Sequence, residues 1–248
     1  MKVKVAFFDF ASCEGCQLQI ANLEEEILDL IEVVDVVSFR EVMKEHSDDY
    51  DVAFIEGSIQ RPIDEERIKN IRSKAKLVIA LGTCAHLGGV QRLANRWSKQ
   101  ENHKEVYGDF DGKDNEFFEN VETRSVGEVV KVDAVIPGCP IDRNEFKRVV
   151  TDLLVGKEPK LPNHAVCVEC KKNENICVFE LGGFCLGPIT RAGCGAICPS
   201  FGSGCEGCRG YLDEPRMDAE KSVLEKYGVT AEEMMNALNM FNFKKEGH

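Results

Sequence analysis

The residues best suited to chemistry in this sequence are its 12 cysteines. They divide into three groups of four, and each group contains a C-x-x-C pair. We name them the first set (Cys13, Cys16, Cys84 and Cys139), the second set (Cys167, Cys170, Cys177 and Cys185) and the third set (Cys194, Cys198, Cys205 and Cys208). Four cysteine thiolates are the usual ligands of a [4Fe–4S] cluster. The sequence therefore predicts three such clusters.

Other uses of cysteine fit this chain less well. Residues 1–10 alternate like a strand and lack the apolar core of a signal peptide, so we expect a cytoplasmic protein with reduced thiols. Cysteines used as small apolar residues would not account for C-x-x-C pairs beside Gly and Pro. Zinc remains an open alternative, because four thiolates also bind zinc and C-x-x-C pairs build zinc ribbons. It is stronger for the second and third sets than for the widely spaced first set.

The first set is carried by a predicted α/β domain. Residues 1–156 alternate strand-like and helix-like patterns, which predicts a flavodoxin-like parallel sheet with helices on both faces. The predicted strands are Lys2–Phe10, Val33–Phe39, Asp51–Ile55, Lys76–Gly82 and Val132–Pro137. The cysteines of the first set follow the first, fourth and fifth of these strands. Because the carboxyl ends of parallel strands share one edge, we expect the four thiols to converge there.

Other residues are predicted to lie near that edge or to bound the helices. Glu56 ends the third strand, where it either handles protons or is a local hydrogen-bond acceptor. Gly57 and Gly82 would let the backbone approach the site closely. The apolar spacing predicts one helix over Gln17–Ile31. Further helices are predicted to begin at Pro62 and, capped by Asp142, to run to about Val155.

The chain changes character between Cys167 and Cys208. This stretch holds 8 cysteines in 42 residues, with many glycines and little periodicity. Such a segment cannot build a conventional apolar core, so we expect bound clusters to hold it together. We predict a sheet domain over residues 1–156 and a small irregular iron–sulfur domain with a helical tail over residues 157–248. Contiguous sets of four are the default assignment, and interleaving of the second and third sets stays open.

Two arginines and two segments have more than one interpretation. Arg191 and Arg209 lie beside third-set cysteines, where each either offsets cluster charge or is an ordinary surface arginine. Residues 95–128 interrupt the strand–helix alternation and are predicted to form a polar surface insertion. An apolar stripe near the end of the chain should pack against this protein or a partner subunit. The stripe consists of Met234, Leu238 and Phe241.

The overall composition excludes some classes of function. The formal net charge is −12 and the sequence pI is about 5.0. Nucleic acid is therefore not an expected partner, since phosphate binding needs a basic surface. The sequence contains no apolar run of about 18 residues, so we predict no membrane span.

Taken together, the cysteine motifs resemble those of [NiFe] hydrogenase small subunits. C-E-G-C at 13–16, Gly82-Thr-Cys84 and Pro137-Gly-Cys-Pro140 are similar to the proximal-cluster motifs of that family. The stretch from Cys177 to Cys208 is similar to its outer-cluster region. The resemblance covers roughly residues 1–210. It is nearest to the delta subunit of archaeal sulfhydrogenases and the small subunits of methanogen hydrogenases.

The resemblance implies that the first set binds the proximal cluster, the third set the medial cluster and the second set the distal cluster. Cys167 stands where many relatives have a histidine ligand. Cys198 stands where relatives with a three-iron medial cluster have a proline. The family's nickel–iron site lies on a separate large subunit, so we expect no catalytic residues in this chain.

The implied function is that of an electron-relay subunit in a soluble hydrogenase. Its expected partners are the large subunit and an acceptor module made of flavin or iron–sulfur subunits. One alternative is the iron–sulfur subunit of a complex I-type quinone reductase. Those relatives share the first domain, but they carry two adjacent cysteines in the first motif and lack the eight-cysteine segment. Another alternative is a zinc-stabilised interaction protein without redox function.

Overall fold

A five-stranded parallel sheet forms the first part of the chain in the computed structural model, which describes residues 2–109, 118–215 and 217–241. The strands are β1 (Val3–Asp9), β2 (Val34–Phe39), β3 (Val52–Glu56), β4 (Leu77–Leu81) and β5 (Ala134–Ile136). They lie in the order β2-β1-β3-β4-β5, and each neighbouring pair is parallel. This is the flavodoxin-like order, and it confirms the predicted α/β fold.

Helices connect these strands and continue beyond the sheet. They are α1 (Gly15–Ala21), α2 (Glu26–Val33), α3 (Pro62–Lys74), α4 (Gly82–Leu87), α5 (Lys99–Tyr107), α6 (Arg143–Leu154), α7 (Val166–Lys172), α8 (Ile197–Ser200), α9 (Met217–Lys226) and α10 (Ala231–Leu238). Within the part of the chain that the structure describes, no helix is both long and apolar enough to cross a membrane.

The sheet is buried on both faces. All five residues of β3 are buried. Phe54 packs into one apolar cluster with Phe7 and with Phe146 of α6, and its neighbour Ile55 packs into a second cluster with Ile68 of α3. Successive side chains of a strand point to opposite faces, so a central strand must be apolar throughout when helices cover both sides. This burial fixes the strand register and hence the positions of the strand ends.

The helix predicted over Gln17–Ile31 is divided into two. α1 ends at Ala21 and α2 begins at Glu26. Between them, Glu24 has a left-handed backbone conformation with a φ of 56°. A residue in that conformation cannot continue a right-handed helix, so the apolar spacing alone did not reveal the break.

Local signals set the starts of α3 and α6 as predicted. Pro62 is the first residue of α3. The Asp142 side chain caps α6 by accepting a hydrogen bond from the Glu145 backbone N–H at 2.8 Å.

The edge of the sheet at β5 is held by a carboxylate. Asp133 accepts a hydrogen bond from the Val78 backbone N–H at 2.8 Å and pairs with the Arg72 guanidinium. Burial alone would raise the pKa of Asp133, but these two donors hold it below its ordinary value. The ionised carboxylate therefore ties β4, β5 and α3 together.

The segment 95–128 is more structured than a plain surface loop. It contains α5, which begins with a capping box in which Ser98 and Glu101 bond each other's backbone N–H. Asn95 is buried, and its side chain exchanges two hydrogen bonds of 2.9 Å with the backbone of Thr123. Residues 110–117 of the predicted insertion lie outside the described residues.

The cysteine-rich segment has a small apolar core of its own. Val166, Phe179 and Cys185 pack there with Leu224 of α9, and Phe179 stacks on Tyr227 at 5.2 Å. The tail helices thus supply apolar groups that the segment itself lacks, which is why local composition underestimated this core. The predicted division at about residue 156 stays a prediction.

The apolar stripe near the end of the chain packs against this protein, as one of its two interpretations proposed. Met234 packs against the core of the cysteine-rich segment, and Phe241 is buried. The Leu238 carbonyl accepts a hydrogen bond from the Tyr211 hydroxyl at 3.2 Å.

Candidate iron–sulfur cluster sites

The cysteines of the first set meet at the carboxyl edge of the sheet. Cys13 lies between β1 and α1, and Cys16 lies in the first turn of α1. Cys84 lies in α4, directly after β4, and Cys139 follows β5. Burial raises the pKa of the Cys84 thiol to about 11, and the neighbouring Cys139 and Cys13 thiols add to this. Burial also raises the pKa of Cys16, with contributions from the Glu56 carboxylate and from the Cys84 and Cys139 thiols. The structure therefore brings all four together, as the topology predicts.

Glycines leave room for the sulfur atoms of this set. A Cβ atom built on Gly82 would lie 2.3 Å from Cys16 Sγ, and one built on Gly89 would lie 2.7 Å from Cys84 Sγ. Both glycines have a positive φ, 81° and 71°, which side chains rarely adopt. The backbone therefore approaches the thiols more closely than any other residue type would allow.

Glu56 orients the loop that carries Cys16. Its Oε1 accepts a hydrogen bond from the Cys16 backbone N–H, and its Oε2 accepts one from Gln17, each at 3.0 Å. Burial raises the pKa of Glu56, and these two donors oppose that shift. Of the two roles weighed for Glu56, the contacts support the local hydrogen-bond acceptor.

Two glutamines near the first set were missed by sequence reasoning. Gln17 is 1% exposed, and its Nε2 lies near Glu56 without completing a hydrogen bond. Gln91 donates to the Ala11 carbonyl at 2.7 Å and to Cys84 Sγ at 3.4 Å. An amide on the inward face of α1 was a signal for Gln17, whereas nothing in the sequence singled out Gln91.

The second set is partly brought together by direct contacts. A Cβ atom built on Gly187 would lie 3.2 Å from Cys185 Sγ and 3.3 Å from Cys167 Sγ, so these two sulfurs flank one glycine. Cys170 and Cys177 pack against the apolar cluster that contains Cys185. These contacts bring Cys167 and Cys185 together and place Cys170 and Cys177 against a cluster that also contains Cys205 of the third set.

The third set is gathered around Cys208. Burial raises the pKa of Cys208 to about 12, and the neighbouring Cys194 and Cys198 thiols contribute to the shift. Burial also raises the pKa of Cys205 to about 12, with contributions from both Cys185 and Cys208. Cys205 thus lies between the two C-terminal sets, and the assignment of each thiol to one cluster stays a prediction.

Close contacts join the three sets in space. Cys139 lies close enough to the Cys208 thiol to influence its pKa, which links the first set to the third. The Cys205 backbone N–H donates to Cys185 Sγ at 3.2 Å, which links the third set to the second. Thr83 Oγ1 also donates to the Cys208 carbonyl at 2.6 Å and docks the third set on α4. The third set therefore lies between the other two.

The residues present fit iron–sulfur clusters. None of the twelve cysteines, all of which lie in the described residues, forms a disulfide, and glycines leave space beside sulfurs in the first and second sets. The thiols of Cys84, Cys205 and Cys208, whose pKa values are raised by burial, would release their protons on binding a metal. Across residues 2–109, 118–215 and 217–241, no group of three or more His, Cys, Asp or Glu side chains is arranged to hold a single ion.

The two arginines have different surroundings. Arg191 pairs with Asp213, whose side chain is 65% exposed, and donates to the Pro162 carbonyl. Arg209 is 1% exposed and forms a buried ion pair with Glu145. Arg209 is therefore not an ordinary surface arginine.

Comparison with known proteins identifies the family. The family model for the 20 kDa subunit of NADH ubiquinone oxidoreductase matches residues 13–153. Sulfhydrogenase 2 subunit delta of Pyrococcus furiosus is 38% identical over 210 residues, covering 84% of this chain and 86% of that protein. A component of the vhu F420-non-reducing hydrogenase of Methanocaldococcus jannaschii is 35% identical over 241 residues, covering 86% and 84%. The chain belongs to the hydrogenase small-subunit family.

Solved structures agree with this hydrogenase subunit in fold. An NAD+-reducing [NiFe]-hydrogenase chain has a TM-score of 0.59 and 27% identity, covering 65% of this chain and 96% of its own. A chain of the actinobacterial-type NiFe-hydrogenase from Ralstonia eutropha H16 has a TM-score of 0.58 and 17% identity, covering 99% and 86%. The predicted resemblance and the hydrogenase assignment are thereby confirmed.

The family model and the hydrogenase relatives differ in extent. The model match ends at residue 153, before the second set begins. The relatives cover 84% and 86% of this hydrogenase subunit and must therefore extend into the cysteine-rich segment. The matched part contains strands β2 to β5 and all four cysteines of the first set.

Proposed function

We propose that this chain carries electrons through three [4Fe–4S] clusters between the hydrogen-activating site of a large subunit and an acceptor module. The observation that carries this proposal is the spatial order of the cysteine sets. Thr83, the neighbour of Cys84, links the first set to the third through its hydrogen bond to the Cys208 carbonyl, and the Cys205 N–H links the third to the second through Cys185 Sγ. A chain of adjacent metal sites is what an electron relay requires.

The proposed ligands are the three sets in contiguous order. The first set holds the proximal cluster, the third set the medial cluster and the second set the distal cluster. When bound, the clusters supply one-electron transfer. The chain's own part is to bind them, to keep them at fixed separations and to set their reduction potentials.

Backbone and side-chain donors support the last of these roles. The Gly187 N–H donates to Cys185 Sγ at 3.4 Å, and Gln91 donates to Cys84 Sγ at a similar distance. Hydrogen bonds to ligand sulfur stabilise the reduced, more negative cluster and raise its reduction potential. These contacts therefore favour acceptance of an electron at the first and second sets.

The first set is proposed to face the large subunit. Cys13 and Cys139 are exposed at the carboxyl edge of the sheet, so their cluster would lie at the surface until a partner covers it. The second set would then lie nearest the acceptor. Similar chains belong to an NAD-reducing hydrogenase and to a coenzyme F420 hydrogenase. Because nicotinamides exchange hydride and clusters exchange single electrons, we propose an acceptor module with a flavin or iron–sulfur subunit, in the cytoplasm.

Native anaerobic purification tests this function. We expect a hydrogenase large subunit to co-purify with the chain, with about 12 iron and 12 acid-labile sulfide per chain, the sum for three four-iron clusters. About 11 iron would indicate one three-iron centre instead. Stoichiometric zinc with little iron would contradict the proposal.

The family-model match favours one second candidate, an iron–sulfur subunit of a quinone reductase of the complex I type. The same purification separates the two. Quinone-reductase subunits in the complex, with quinone reduction and no hydrogen oxidation, would establish the second candidate.

A further inference from the structure

Arg209 is a buried cation at the junction of the cysteine loops. Its side chain is 1% exposed, and every part of the guanidinium is bonded. Nε donates to the Ala192 carbonyl at 2.9 Å, and Nη1 donates to the Pro137 carbonyl at 2.7 Å. Nη2 donates to both carboxylate oxygens of Glu145, at 2.9 and 2.7 Å. The planar fork of arginine suits such fixed, multiple contacts, which lysine cannot reproduce.

The acceptors of Arg209 lie close to cysteines of two sets. Pro137 stands two residues before Cys139 of the first set, and Ala192 stands two residues before Cys194 of the third. Arg209 itself directly follows Cys208. One guanidinium therefore joins the loop of a first-set cysteine to the loops of two third-set cysteines.

The backbone is shaped around this side chain. A Cβ atom built on Gly193 would lie 2.3 Å from Arg209 Nη2 and 2.9 Å from Glu145 Oε1. Gly193 also has a φ of 119°, a conformation that favours glycine. The loop before Cys194 thus closes directly onto the ion pair.

The free energy of folding does not explain why the protein keeps a buried ion pair here. Taking both charges out of water is costly, and replacing a buried pair by apolar residues is often neutral or stabilising. The Glu145 carboxylate is 2% exposed and is also contacted by Arg148, whose side chain is 49% exposed. A buried charge beside two cluster sites acts on their potentials, because it is screened far less than a surface charge.

We propose that Arg209 is a positioning residue for electron transfer between the first and third sets. It holds the loops of Cys139, Cys194 and Cys208 together, and its charge, balanced by Glu145, sets the potentials of the two adjacent clusters. This inference rests on the proposed function, since it assumes clusters at both sets.

The test uses the intact hydrogenase complex and a small set of variants. Glu145→Gln leaves the bonds of Arg209 to both carbonyls and removes its counter-charge. Arg209→Gln removes the cation, and the double variant removes both charges. Arg191→Gln is the matched control, because Arg191 lies in the same segment and bonds backbone carbonyls, yet pairs with an exposed carboxylate.

The readouts are the iron and sulfide content and the midpoint potential of each cluster. Redox titration followed by electron paramagnetic resonance gives the potentials. We expect Glu145→Gln to move the first- and third-set potentials to more positive values and Arg209→Gln to move them to more negative values. The double variant should return close to the unmodified complex. In the Glu145 and Arg209 variants the potential of the second-set cluster should move least. Arg191→Gln should leave all three potentials unchanged.

The outcomes separate this inference from the proposed function. A complex without iron–sulfur clusters before any substitution overturns the proposed function itself. Full iron content with unchanged potentials in Glu145→Gln, or shifts of the same sign in both single variants, overturns only the role of Arg209. Loss of iron in every variant of the pair, with Arg191→Gln intact, would show a purely structural tie and would also overturn it.

Discussion

Replacing Gly82 by alanine should expel the cluster of the first set. The added Cβ would lie 2.3 Å from Cys16 Sγ, where ordinary contact begins at 3.4 Å, so the sulfur must retreat by about 1 Å. Metal ligands tolerate displacements of only about 0.2 Å. A cluster held partly by Cys16 therefore loses that ligand, and we expect iron to fall from about 12 to about 8 per chain.

A matched control separates this clash from backbone strain. Gly156 has a φ of 71°, close to the 81° of Gly82, but a Cβ built there meets nothing within 4 Å. Gly156→Ala should therefore lower the free energy of unfolding by about 1–2 kcal/mol, the cost of the left-handed conformation, and keep all its iron. Gly82→Ala should lower the free energy of unfolding by about a further 1–3 kcal/mol, because the added methyl group overpacks the site.

Iron and sulfide assays with thermal denaturation of both variants provide the measurement. Gly89→Ala offers a second case, since its Cβ would lie 2.5 Å from Gln91 Oε1 and 2.7 Å from Cys84 Sγ. Equal iron content and equal stability in Gly82→Ala and Gly156→Ala would refute the argument that these glycines make room for the thiols.

Three further predictions concern folding, pH and the direction of the relay. Anaerobic removal of iron should make residues 165–210 sensitive to protease while 1–156 stay protected, and equal protection in both parts would contradict this. Asp133→Asn should cost about 1.5–3 kcal/mol at neutral pH, and this difference should shrink as the pH falls below about 4, since the native carboxylate then loses its advantage over the unfolded one. A constant difference in unfolding free energy down to pH 2 would count against it. Cys84→Ser should impair hydrogen oxidation with every acceptor, whereas Cys170→Ser should impair the native acceptor more than a small dye. The reverse pattern would invert the proposed order.

The sequence was sufficient to locate the first set because topology determines where these cysteines meet. Four cysteines distant in sequence follow strands whose carboxyl ends share one edge, and parallel pairing leaves that edge little freedom. Apolar periodicity located the strands, since β3 is buried on both faces. It did not reveal the break between α1 and α2, which depends on the backbone conformation of Glu24 rather than on hydrophobicity.

The arrangement of the other two sets was beyond such reasoning. Their segment lacks periodicity, and its packing depends on groups from elsewhere, such as Leu224 of α9. The role of Arg209 was equally hidden, because its partner Glu145 lies 64 residues away in the first turn of α6. Residue type and neighbours in sequence gave Arg191 and Arg209 the same two interpretations, and only burial separated them.

The order of the sets in space differs from their order in sequence, and the path of the chain explains this. The chain passes the second set first and then returns, so that Cys205 pairs with the loop of Cys185 and Cys208 reaches the edge of the sheet. The Leu186 N–H donates to the Cys205 carbonyl at 2.7 Å, and the Cys205 N–H donates back to Cys185 Sγ at 3.2 Å. The second set is therefore held in place through the third. Assembly of the second set should therefore depend on the third, and assembly of the third on the sheet edge through Thr83.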